Sequence, residues 1–173
     1  MSEIADRIFL IGFMGSGKSS VGRALADQLD WEFVDTDALI EQREGRSIDA
    51  IFRDSGEGYF RTIEWEVLES LGRRSRCVVA TGGGAFLGSR PRRWMKRSGW
   101  TIWLDVSLET AASRVGEGGR RPLWLPDDPL EFRAFFEGRK AVYALAHLTV
   151  DAGSGDANEV ARSIRSRVPR VFR

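Results

Sequence analysis

Gly12-Phe13-Met14-Gly15-Ser16-Gly17-Lys18-Ser19, reading GFMGSGKS, decides how the rest of the chain is read. It satisfies G-x-x-x-x-G-K-[ST], with Gly12 and Gly17 framing the loop and Lys18 and Ser19 closing it. Glycines let the backbone turn tightly and bring its N–H groups close to phosphate oxygens. Lys18 offers a point charge to β- and γ-phosphates, and the Ser19 hydroxyl is a ligand type for Mg²⁺. Arg7 to Ile11 (RIFLI) precedes the loop as an apolar run of strand length. After it, Val21, Leu25 and Leu29 recur at helical spacing. A helix opening at such a loop turns its dipole and free N–H groups towards an anion. Strand, glycine loop and helix together predict a nucleotide phosphate site.

Outward from this loop, strand-like runs recur at Arg7–Ile11, Trp31–Val34, Cys77–Ala80, Trp100–Val106 and His147–Val150, with helical patterns between them. That alternation predicts an α/β architecture: a five-stranded parallel sheet with helices on both faces. At 173 residues, 42% apolar and 29% charged, the chain is expected to form one globular domain. A formal net charge of +1 gives no argument for a nucleic-acid or anionic-membrane partner. The apolar runs are too short to span a bilayer, and MSEIADR lacks the layout of a signal peptide. One cysteine excludes an internal disulfide, and a cytoplasmic protein is expected. Cys77 opens the run CVVA and reads as a buried structural residue. His147, the single histidine, reads as structural or surface.

Between the second and third strands, Asp35 to Arg76 is mostly helical in pattern, with breaks at Gly45 and Ser55–Gly58. An insertion of this size is expected to form a substrate-binding segment at about 35–64. It starts with Asp35-Thr36-Asp37 at a strand's carboxyl end, where open α/β sheets bind ligands. These residues suit metal or hydroxyl binding and helix capping equally well. Phe60-Arg61-Thr62-Ile63-Glu64 lies on a helix continuing through Val67, Leu68 and Leu71, and spacing alone leaves Arg61 on a solvated face. After the third strand, Thr81-Gly82-Gly83-Gly84 requires unusual dihedrals or a close approach by another group. Later, Ser107 to Val115 reads as a helix carrying Arg114. Gly116 to Asp128 (GEGGRRPLWLPDD) has the composition of a mobile lid carrying Arg120 and Arg121. Leu130 to Leu145 and Ala157 to Val168 read as the last two helices, and RVPRVFR as a solvated tail.

With these pieces in order, the chain resembles the shikimate kinases, of the nucleoside-monophosphate-kinase branch of phosphate-loop proteins. The likeness runs from about Ile8 to Val168. It is carried by GFMGSGKS, Asp35–Asp37, GRSIDAIF, GEGYFRTIE, the triple glycine, RRPL, and Arg139 with Tyr143. It implies the three-layer P-loop kinase fold and transfer of phosphate from ATP to the 3-hydroxyl of shikimate with Mg²⁺. By position, Gly12, Gly15, Ser16, Gly17, Lys18, Ser19 and Ser20 would hold the ATP phosphates. Ser19 would bind Mg²⁺, and Asp35 would support the metal through water. Asp37 would take the ring hydroxyls, Arg61 and Arg139 the carboxylate, and Gly83 would offer an N–H. Phe52 and Phe60 would wall the ring. Arg121 would close over the phosphates, and Arg114 would lie against adenine. Lys18, Asp37 and Arg121 carry the catalysis in this reading, and a monomer is implied.

One stretch departs from the pattern. Asp151 to Asn158 (DAGSGDAN) puts Gly155 and Ala157 where members of the family often place arginine and proline against adenine. The six tryptophans, Trp124 in the lid among them, have no functional reading. A gluconate kinase would keep the phosphate loop without needing Arg61 and Arg139. A regulatory ATP-binding domain would be expected to lose Lys18, Asp37 or one of the arginines, and all are present. Arg61→Ala is expected to raise the KM for shikimate strongly and leave that for ATP nearly unchanged. Equal effects on both, in steady-state kinetics, would contradict the carboxylate assignment.

Overall fold

A computed structural model describes residues 6–117 and 127–168. The lid arginines Arg120 and Arg121, and Trp124, lie outside the described residues. The five strands are β1 (Arg7–Ile11), β2 (Glu32–Asp35), β3 (Cys77–Ala80), β4 (Trp100–Asp105) and β5 (Leu148–Asp151). They pair parallel throughout in the order β2-β3-β1-β4-β5, so β1 lies at the centre. Every residue of β1 and β3 is buried, as strands covered on both faces require.

Seven helices connect them among the described residues: α1 (Lys18–Leu29), α2 (Thr36–Glu44), α3 (Ile48–Ser70), α4 (Ser89–Ser98), α5 (Leu108–Glu117), α6 (Pro129–Tyr143) and α7 (Ala157–Arg167). Side chains alternate along β1 and assign the faces. Leu10 lies against Gly22 of α1, whose missing Cβ would fall 3.4 Å from its Cδ1. Phe9 points the other way and meets Trp94 of α4 edge to face at 5.7 Å. Helices therefore cover both faces, as the alternating pattern predicts.

Element ends depart from expectation by a residue or two, for local reasons. Trp31 does not start β2, because its N–H bonds to Ala26 O and finishes the turn after α1. His147 does not start β5. Its N–H donates to Thr101 Oγ1, while its Nδ1 accepts from the Thr101 N–H at 3.1 Å. That ties the ring to β4, and burial lowers its pKa. His147 is structural. The predicted breaks in the long insertion fall at Gly45, which caps α2 with φ 66°, and at Gly56, a non-helical residue inside α3 with φ 79°. Between α2 and α3 sits a small separate core of Ile40, Ile51, Phe60, Ile63 and Val67. The helix α4 has no counterpart in the expected elements, since five cations and a proline hide its one buried residue, Met95.

Five of the six tryptophans have packing partners or sit in the core. Trp65 meets Trp94, Trp100 meets His147, Trp103 meets Tyr143, and Trp31 is nearly buried. Cys77 is fully buried, and burial pushes its thiol up to about 11. The native protein is therefore expected to resist thiol alkylation near neutral pH and to take up one equivalent once denatured. Rapid labelling of the native protein would contradict this packing.

Candidate active site

The phosphate loop follows β1 at the carboxyl edge of the sheet, beside the point where the chain leaves to either side of the central strand. Gly15 takes φ 76°, and a Cβ there would stand 2.6 Å from the carbonyl oxygen of Ala111, so only glycine lets the loop lie against α5. Gly17 caps α1 without any side-chain hydrogen bond. The first N–H groups of Lys18, Ser19 and Ser20 thus begin a helix whose amides have no intrahelical acceptor. Lys18 Nζ donates to Gly12 O and Phe13 O, both at 2.9 Å. Burial pushes its ammonium down to about 8, against the opposing pull of Asp37 and Asp35.

At the end of β2 the two aspartates divide their work. Asp35 Oδ1 caps α2 by accepting from the N–H groups of Asp37 and Ala38 at 3.0 and 3.4 Å. Its Oδ2 accepts from Ser19 Oγ at 2.7 Å. So Asp35 is both the cap and the partner of the phosphate-loop serine. Asp37 caps nothing. Burial, with Asp35 and Glu64 nearby, pushes its carboxyl up to about 6 despite Lys18.

The glycines after β3 are explained by close approach. None of Gly82, Gly83 and Gly84 has a positive φ. A Cβ on Gly82 would stand 2.8 Å from Glu64 Oε1 and 2.9 Å from Asp37 Oδ1; one on Gly84 would stand 2.5 Å from both terminal nitrogens of Arg61. The middle glycine, Gly83, accepts at its carbonyl from the Tyr143 hydroxyl, which α6 supplies. Arg61, placed by spacing alone on a solvated face, instead turns towards this loop. Its guanidinium donates to Glu64 Oε2 at 2.8 Å and to Glu57 at 3.2 Å. Arg139 stacks on Phe135 at 3.9 Å, a cation–π contact that holds its guanidinium.

One cleft of about 410 Å³ brings Lys18, Asp37, Arg61, Gly83 and Arg139 together. Phe52 and Phe60 line it as a pair, their ring centroids 4.6 Å apart. Sequence reasoning left Glu64 without a role, although it stands in the quoted FRTIE stretch and lines the same cleft. Glu41 and Asp49 also line it, and no spacing signal marks them. Arg114 lies elsewhere. It donates to Gly15 O at 3.2 Å and to Ala152 O at 3.3 Å, so it bridges the phosphate loop and the turn after β5. That turn is shaped by its own acids: Asp151 accepts from the Gly153 N–H and the Ser154 hydroxyl, and Asp156 with Glu159 forms a capping box. Arg121 cannot be placed in the cleft, since it falls outside the described residues.

The donor set suits a hard cation that keeps most of its water. Ser19 and Asp35 offer adjoining oxygens, and among the described residues no cluster of three or more acids, histidines or cysteines forms a cage. Among the described residues, no helix is long and apolar enough to cross a membrane.

Comparison with known proteins shows the family. The family model for shikimate kinase matches residues 14–169. The chain is 41% identical to a shikimate kinase of Sulfurihydrogenibium over 94% of its length and 98% of the relative's. It is 42% identical to that of Persephonella marina, over 93% and 98%. A solved shikimate kinase from Acinetobacter baumannii, in complex with shikimate, superposes with a TM-score of 0.87 at 35% identity, covering 96% of this chain and 97% of that one. From the phosphate loop to the last helix, this chain belongs to the shikimate kinase family.

Proposed function

We propose that this protein transfers the γ-phosphoryl group of ATP to the 3-hydroxyl of shikimate, giving shikimate 3-phosphate and ADP on the route to chorismate and the aromatic amino acids. The observation that carries this reading is the content of this cleft: Lys18 and Asp37 together with two guanidiniums, Arg61 and Arg139, against an aromatic wall. Shikimate is a small hydroxylated monoanion. Recognising it takes a cationic fork for the carboxylate and acceptors for the hydroxyls. A charge-assisted hydrogen bond contributes about 1.5–3 kcal/mol, so two arginines would supply much of the roughly 4–5 kcal/mol that millimolar to submillimolar binding requires.

In this reading Arg61 and Arg139 hold the carboxylate, the Gly83 N–H and Asp37 hold the ring hydroxyls, and Phe52 and Phe60 flank the ring. Gly12, Gly15, Ser16 and Gly17, with the first amides of α1 through Ser20, cradle the ATP phosphates. Ser19 would hold Mg²⁺ with Asp35 supporting it through water, and the ion would neutralise charge on the phosphates. Phosphoryl transfer needs positioning and charge stabilisation more than covalent help. Lys18 serves that end from the loop, and Arg121 from the lid at about 116–128. Asp37 orients the attacking hydroxyl and accepts its proton, consistent with a carboxyl pushed up to about 6. Arg114, fixed between the phosphate loop and the turn after β5, lies against the adenine. The whole site is built within one chain of one domain, with residues about 35–64 as its substrate-binding segment, and the protein works as a monomer in the cytoplasm.

Asp37→Asn keeps the size of the side chain and removes its basicity. With ATP, Mg²⁺ and shikimate it is expected to lower kcat by at least about a hundredfold, the range for a positioned acid–base group, with little change in the KM for ATP. Near-normal turnover would reduce Asp37 to a structural residue.

A further inference from the structure

Several carbonyls of the phosphate loop are held by groups close to them in the chain. Lys18 Nζ takes Gly12 O and Phe13 O, and the N–H of Val21 takes Gly17 O at 2.9 Å. Gly15 O is different. It accepts from Arg114 Nη1 on α5 at 3.2 Å. The other terminal nitrogen of that arginine, Nη2, donates to Ala152 O at 3.3 Å. Ala152 is buried, and its own N–H donates to Asp105 O at the end of β4, at 2.8 Å. One guanidinium thus ties the loop to the rim formed by β4 and β5.

Gly15 needs such a tie. Its φ of 76° is open to glycine, which also leaves the next peptide unit freest to turn over. In a trans peptide the carbonyl and the N–H point in opposite directions. The Gly15–Ser16 unit is held at both ends: its oxygen by Arg114, and its N–H by Phe13 O at 3.2 Å. That N–H points back across the loop, into the concavity where successive amides cradle an anion. Turned over, the unit would aim the negative end of its carbonyl there instead. The helix α5 is placed to prevent this. Ala111 and Arg114 are three residues apart on one of its faces, and a Cβ on Gly15 would stand 2.6 Å from Ala111 O. One on Gly17 would stand 3.7 Å from Arg114 Nη1.

We propose that Arg114 is a positioning residue for the phosphate loop: by holding Gly15 O it keeps N–H groups, and no carbonyl, facing the phosphates. This role is separate from a contact with adenine. Both hydrogen bonds use the edge of the planar guanidinium and leave its faces to a base. The same two bonds make the grip on the phosphates depend on the turn after β5, since a shift of Ala152 pulls on the group that holds Gly15. Lysine is a poor replacement, because its single nitrogen offers no rigid fork to span two carbonyls.

This inference rests on the reading of the loop as the ATP phosphate site and makes no use of the acceptor. Tripolyphosphate carries the phosphates without a base, so it separates the two roles of Arg114. In calorimetric titrations with Mg²⁺, Arg114→Ala is expected to weaken tripolyphosphate at least about tenfold, the size of one lost charge-assisted bond. Arg114→Lys keeps the charge and loses the bridge, and should still weaken it at least about threefold. In nuclear magnetic resonance of the unliganded protein, the Gly15 carbonyl carbon signal should move upfield in both variants, as for a carbonyl that has lost its donor. Wild-type affinity for tripolyphosphate in Arg114→Ala, with ATP weakened, would make Arg114 an adenine contact alone and overturn the proposal. So would a lysine variant that binds as the wild type does, which would reduce the arginine to its charge, or a Gly15 signal that neither substitution moves. If the wild type binds neither ATP nor tripolyphosphate, the functional reading falls, and the carbonyl signal alone decides whether Arg114 sets the loop.

Discussion

The cleft exists because the backbone leaving β3 carries no side chains where other groups must come closest. A Cβ at Gly82 would occupy the space of two carboxylate oxygens, and one at Gly84 that of a guanidinium. Those contacts pull α2 and α3 onto the edge of the sheet, and they bring Asp37, Arg61 and Glu64 within reach of the phosphate loop. Gly83, between them, is held by the Tyr143 hydroxyl, so α6 and its Arg139 are fastened to the same loop. Four separate stretches of chain therefore meet over three glycines. Parallel strands make this possible, because all five end at the same rim.

Charge is the second constraint. Lys18, Asp37, Arg61, Glu64 and Arg139 line one cleft with Glu41 and Asp49 at its side, a set that water would ordinarily screen. Partial burial makes each group depend on its neighbours. The ammonium of Lys18 is pushed down and the carboxyl of Asp37 up, both chiefly by burial. In the proposed reading the phosphates of ATP and the carboxylate of shikimate relieve the cations, and the ring hydroxyls relieve the acids.

Much of the fold was legible in the sequence, for a physical reason. Strands buried on both faces are continuous apolar runs, and the phosphate loop orders them. The element ends were less so, because they depend on single hydrogen bonds such as that from the Trp31 N–H to Ala26 O, which no periodicity records. The helix Ser89–Ser98 escaped for another reason: its one buried residue, Met95, is surrounded by charge. In the site, the loop and the aspartates stood out by their residue types at a strand's end. Arg61 did not, since an arginine on an amphipathic helix reads as solvated until the glycine that receives it is known. Glu64 was legible only as part of a pattern. It holds the Arg61 guanidinium and lies against Gly82, and both contacts are properties of packing alone.

The central claim is that this cleft selects a hydroxylated ring acid as phosphoryl acceptor. The direct measurement is ADP release from ATP and Mg²⁺ with shikimate, quinate, gluconate or no acceptor. Strong turnover with shikimate and little with the other three is the predicted result. Turnover with gluconate comparable to that with shikimate would contradict the carboxylate clamp and the ring site together, while leaving the phosphate loop's role intact.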